Sequence, residues 1–152
     1  MLFSILKWIH ILAAIVAVGA NATYAIWLAR ASRSSDVLPF TLRTIKLIDD
    51  RVANPAYASQ LITGLAMAFL LPLPLTTPWL LTALILYALL VLIGLAGYTP
   101  TLRQQIQLLD SEGFQSSNYQ ALARRGTTLG IILAILALTI VFLMVVKPSL
   151  WA

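Results

Sequence analysis

The chain has no cysteine among its 152 residues, which excludes disulfides, thiolate metal centres and cysteine nucleophiles. It has one histidine, His10, so two-histidine haem ligation within a single chain is excluded as well. Charge is scarce, at 10% of residues, and only five residues are acidic. Those five, Asp36, Asp49, Asp50, Asp110 and Glu112, all lie outside the long apolar runs, so the carboxylate that an ion pump carries at membrane depth is missing. No HExxH, GxSxG or glycine-rich phosphate loop occurs either, which argues against hydrolase and nucleotide-dependent chemistry. Any reaction here would need a borrowed cofactor.

What the chain does have is apolar residues, 61% of the total, with a mean hydropathy of +0.93. Water cannot cover such a composition as a soluble domain, so this is a membrane protein. A helix needs about 20 residues to cross a hydrocarbon core of about 30 Å, so the length accommodates about four spans and no soluble domain. Four runs fit: about Ile5 to Leu28, Ala53 to Leu71, Trp79 to Tyr98 and Thr127 to Val146. The first is longer than the apolar region of a secretory signal and is read as a mature helix. The expectation is an all-α membrane protein, a single four-transmembrane-helix antiparallel bundle over residues 1–152.

Three connections join the runs. In the first, a serine-rich start and Pro39 break the first helix, and "FTLRTIKLIDDR" has the spacing of a short amphipathic interfacial helix. The second, "PLPLTTP", is a tight uncharged turn. The third is polar, with helical spacing in its first part and a break at Gly113, and it predicts a second interfacial helix. Eight of the ten basic residues fall in or beside connections one and three: Arg30, Arg33, Arg43, Lys46, Arg51, Arg103, Arg124 and Arg125. By the positive-inside rule these connections face the cytoplasm and both termini face outward, in a bacterial inner membrane. The basic pI then reflects topology and lipid headgroups, with no nucleic acid partner implied. Trp8, Trp27, Trp79 and Trp151 fall near the expected interfaces as an aromatic belt.

Helix association in lipid depends on close packing, so small and polar residues at three- and four-residue steps mark the inner faces. Lys7, His10, Ala14, Ala17, Asn21 and Tyr24 share one face of the first helix. Tyr57, Gln60, Gly64 and Met67 do so on the second, Gly94 and Gly97 on the third, and Gly126, Gly130, Ala134 and Ala137 on the fourth. They predict a small, slightly polar interior. Asn21 reads as interhelical glue, and Asn54 with Pro55 as the start of the second span. His10 has two readings: an imidazole bonded to a neighbouring helix or to interfacial water, or an axial ligand to haem iron with Lys7 beside it. In the second reading a lone histidine leaves five-coordinate haem, a mixed ligand such as methionine or lysine, or a site shared across a homodimer.

The opening "LKWIHILAAIVAVGANATYAIWLARA", the stretch "DRVANPAYASQLITGLAM" and the terminal "LMVVKP" resemble the uncharacterised bacterial family of predicted integral membrane proteins called domain of unknown function 2269. The resemblance covers nearly the whole chain and implies four spans in an inner membrane. It implies no activity. Lys7, His10 and Gly19 are also similar, on one helix only, to the first helix of HemJ-type protoporphyrinogen oxidases and CopD-type copper-resistance domains. The oxidases carry a lysine in a later helix, and this chain has none between Lys46 and Lys147, so what this second resemblance implies is haem binding through His10. Two functional expectations stand: a non-enzymatic accessory component, homo-oligomeric or part of a larger membrane complex, and a haem-binding redox protein.

Overall fold

Prolines shape the helices. In the computed structural model, which describes residues 1–34 and 36–150, every regular element is helical. Helix α1 runs Leu2–Ala31, α2 Leu38–Ile48, α3 Asn54–Leu70, α4 Pro78–Ile93, α5 Thr99–Glu112 and α6 Ser117–Val146. Pro39 and Pro78 sit in the first turns of α2 and α4, where a missing N–H costs nothing. Pro55 and Pro100 lie inside continuous helix instead, and each follows a wide π turn, Asp49–Ala53 and Gly94–Tyr98 respectively. A proline within a helix lacks the N–H for the ladder and drives its ring at the carbonyl four residues back; an expanded turn relieves that clash without ending the helix.

The two π turns therefore fuse α2 to α3 and α4 to α5. The amphipathic segments expected as short interfacial helices in connections one and three are helical, but they run on from the neighbouring spans and are not separate elements. The fourth helix likewise begins at Ser117, well before its apolar run at Thr127. Glycine at Gly113, with φ +80° and ψ 170°, ends α5 in a conformation that side chains disfavour. Ser116 then caps α6, its Oγ accepting from the Tyr119 N–H at 3.3 Å.

Three helical segments are long and apolar enough to cross a membrane: Leu2–Ala31, Pro78–Glu112 and Ser117–Val146. At most 17% of the most apolar stretch of each is buried within the protein. Surfaces this apolar and this uncovered belong in lipid. Helix α3, at 17 residues, is about 26 Å long. It lies along α1, and α4 lies along α6. Trp8 and Trp27 are exposed and Trp79 half-buried, while Trp151 lies outside the described residues.

Two clusters hold the bundle together. One packs Ala83 and Leu90 of α4 against Ala137, Ile140 and Leu143 of α6. The other gathers Tyr24, Ala31, Leu38, Leu42, Ile45, Leu102, Leu109 and Tyr119 at the arginine-rich end, where α2 meets α5. Across its rim Arg43 Nη2 donates to both carboxylate oxygens of Asp110, at 2.7 and 2.9 Å. Both partners are about half exposed, so the pair contributes less than about 1 kcal/mol.

Candidate ligand cavity

Helices α1 and α3 cross where a side chain meets a glycine. The His10 ring lies on Gly64 so closely that a Cβ there would stand 3.1 Å from His10 Cε1. On the adjacent residue, His10 Nδ1 is 3.0 Å from Thr63 Oγ1. The Thr63 hydroxyl has a single proton and donates it to the Ser59 carbonyl at 2.7 Å, so it receives the bond from His10. Nδ1 is thereby the protonated nitrogen, assigned from the hydrogen-bond geometry, and Nε2 keeps its lone pair. The Gln60 backbone carbonyl is a further hydrogen-bond partner of the His10 ring.

His10 forms part of the wall of a cavity of about 580 Å³ between α1, α3, α4 and α6. That volume lies within the roughly 300–1,000 Å³ typical of small-molecule sites. The walls are almost wholly apolar, with Gln60 and Tyr87 as further polar groups and Met67 and Met144 as sulfur donors. Lys7, Trp79 and Lys147 line the cavity at the end where the termini and the α3–α4 turn meet. The Lys147 ammonium stands 5.3 Å from the centre of the Trp79 ring, a cation–π distance. Its backbone is left-handed, at φ 49° and ψ 54°, which ends α6 and turns the chain aside.

The remaining positions on the α1 face divide by depth. Ala17 is fully buried and Tyr24 nearly so, Ala14 and Asn21 are half-buried, and Lys7 is exposed. Asn21 Nδ2 donates to Tyr57 Oη at 2.8 Å and to the Ala17 carbonyl at 2.9 Å, while Tyr87 Oη donates to the Tyr57 carbonyl at 2.7 Å. This network ties α1, α3 and α4 together and leaves Asn21 no role in the cavity. A Cβ built at Gly130 would stand 3.9 Å from the edge of Tyr98, whereas nothing stands within 4 Å of one built at Gly94. Gln60 and Gly64 are half-buried and line the cavity.

The sequence marks Thr63 only as one of the few polar positions within the spans, with Asn21 and Gln60, and Asp49 only as a neighbour of Asp50 and Arg51. Thr63 shares a helix face with Gln60 and Gly64 but carries no chemical signature of its own, and its partner on α1 is visible only in three dimensions. Asp49 read as part of a solvated cluster, yet in the wide turn it is 6% exposed. Burial, then the neighbouring Asp50 carboxylate, push its carboxyl up from the ordinary value, against the pull of Lys46 and a hydrogen bond from Asn54. Lys46 itself is ion-paired to Asp50.

A carboxyl raised in the folded state binds more protons folded than unfolded, so its burden on stability grows as pH rises through the raised value and vanishes below the ordinary carboxylate range. Asp49→Asn is therefore expected to raise the melting temperature of the detergent-solubilised protein at neutral pH, with the gain disappearing in acid. Melting curves across a pH series check this; a variant less stable than the parent at neutral pH contradicts it.

From residue 4 to residue 148 the chain matches the family described as "Predicted integral membrane protein (DUF2269)". No curated protein and no solved structure matches it. With nearly its whole length inside that match, and with three helical segments long and apolar enough to cross a bilayer, the chain belongs to the DUF2269 family of predicted integral membrane proteins.

Proposed function

We propose that the protein is a non-enzymatic component of a bacterial inner membrane, an accessory or oligomerising subunit that binds an amphiphilic ligand in the cavity between α1, α3, α4 and α6. The observation that carries this reading is the cavity itself: about 580 Å³ of mostly apolar space with a few polar groups in its walls. In the proposed topology α3 makes the fourth crossing. Its length of about 26 Å falls just short of a typical core, and the fused α2 extends it beyond the lipid. The eight basic residues at the α2–α5 end support a cytoplasmic position for that end and an outward one for the termini.

A second reading makes the ligand haem, and the His10 geometry favours it. With Nδ1 donating to Thr63 and the Gln60 carbonyl beside the ring, the orientation is set and Nε2 is the candidate ligating nitrogen, as in metal-bound imidazoles whose other nitrogen is anchored. The residues fit the group: His10 would hold the iron, Met67 or Met144 offers a second ligand from the same walls, and Lys7 and Lys147 suit the propionates. Bound haem would supply one-electron redox chemistry. The chain's own contribution is to orient the imidazole through Thr63 and exclude water with the apolar walls.

An absorption spectrum of protein purified in mild detergent after haem-replete expression tests this second reading. A Soret band lost in His10→Ala supports haem; a colourless preparation removes it and leaves the non-enzymatic binding component.

A further inference from the structure

Eight of ten basic residues gather at one end of the bundle, and the two exceptions are Lys7 and Lys147. Both exceptions line the same cavity, although they lie 140 residues apart at opposite ends of the chain. Neither forms an ion pair among the described residues, and Lys147 has only the Trp79 ring as its charge partner. Basic residues at the outward end work against the charge bias that orients a membrane chain, so a pair converging there on an apolar cavity calls for a compensating anion.

The depth of the site limits what that anion belongs to. From Lys7 to Ala14 the cavity follows α1 for about 10 Å toward the bundle centre. Along that path the walls are mostly apolar, Ile11, Ala14, Leu65, Ala83 and Leu84 among them, with His10, Gln60 and Tyr87 as the polar exceptions. In the proposed topology the charged end, with Trp79, falls at the level of lipid phosphates and the apolar end at that of acyl chains.

We propose that the cavity is a site for an anionic membrane lipid, its phosphate held between Lys7 and Lys147 beside Trp79 and one acyl chain lying along α1 and α4 past His10. The inference rests on the reading of the cavity as a binding site and adds the ligand's charge and class. Two cations select an acidic headgroup over a zwitterionic one, because the zwitterion brings its own ammonium to the same place.

The test exposes detergent-purified full-length protein to equimolar mixed micelles of palmitoyl-oleoyl phosphatidylglycerol and phosphatidylcholine, and identifies retained lipid by native mass spectrometry. The parent is expected to retain phosphatidylglycerol several-fold over phosphatidylcholine. Lys7→Gln with Lys147→Gln is expected to bring that ratio to about one, while Arg124→Gln at the other end leaves it unchanged. Equal retention of the two lipids by the parent, or a ratio unmoved by the double variant, overturns the proposal. Ala14→Phe separates the two layers of the argument. If it expels a lipid whose binding ignores the lysines, the cavity reading stands and the headgroup assignment falls; if it expels nothing, both fall. Haem found in place of lipid also overturns the proposal.

Discussion

Leu42→Ala and Ile45→Ala are each expected to destabilise the protein by about 2–5 kcal/mol, the range for deleting a fully buried aliphatic side chain. Both side chains are completely enclosed, at 0% exposure, in the cluster where α2 packs on α5. This end of the bundle carries the charges, including the Arg43–Asp110 pair on its rim, and so stands in water. Burial there removes apolar surface from water and contributes the full hydrophobic term, with a cavity term added on truncation.

The same truncation at Ile135 or Leu138, 59% and 61% exposed on α6, exchanges contact with lipid for contact with lipid and is expected to cost little. Unfolding in detergent, followed by tryptophan fluorescence, separates the two cases. Similar losses at Leu42 and Leu138 would contradict the division of the bundle into a water-facing core and a lipid-facing sheath.

A leucine at Gly64 is expected to have the largest effect on the cavity. At Gly64 even a Cβ presses on His10 at 3.1 Å, and a longer side chain cannot be placed without moving the imidazole off Thr63 and filling the cavity floor. The overpacking costs about 1–3 kcal/mol, partly offset by about 1 kcal/mol of helix propensity gained over glycine. Ligand retention is expected to fall at least tenfold. At Gly94 and Gly19 a Cβ meets nothing within 4 Å, and Gly94→Leu and Gly19→Leu are expected to retain ligand as the parent does. Equal loss in all three variants would show that glycine acts here through backbone flexibility and not through the close approach of His10.

These glycines also show how far a sequence can be read. Gly64 and Gly94 have the same small-residue rhythm, and only the crossing of α1 over α3 makes one of them a contact and leaves the other open. The apolar runs were legible as helices because composition alone dictates them. The helix ends were less so: Pro55 reads as a start signal, whereas expanded turns before Pro55 and Pro100 let the backbone carry each proline through. Gln105 gave no signal in its polar segment, yet it is 6% exposed, donates to the Leu122 carbonyl at 3.1 Å and occupies the space above Gly126. That Lys7 and Lys147 line one cavity follows only from the start of α1 lying beside the end of α6.

The absence of native cysteine makes the central claim, four crossings with the termini outward, directly measurable. Thr76, in the α3–α4 turn, and Ser149, after α6, are exposed, as is Ser111 at the arginine-rich end. Single variants Thr76→Cys, Ser149→Cys and Ser111→Cys are treated in intact cells with a membrane-impermeant maleimide. Labelling of Thr76→Cys and Ser149→Cys, with Ser111→Cys labelled only after permeabilisation, is the predicted result. Ser32→Cys, at the exposed inner end of α1, is predicted to be protected in intact cells; its labelling alongside Thr76→Cys would mean that α3 does not cross, and the outward-facing cavity would be lost with it.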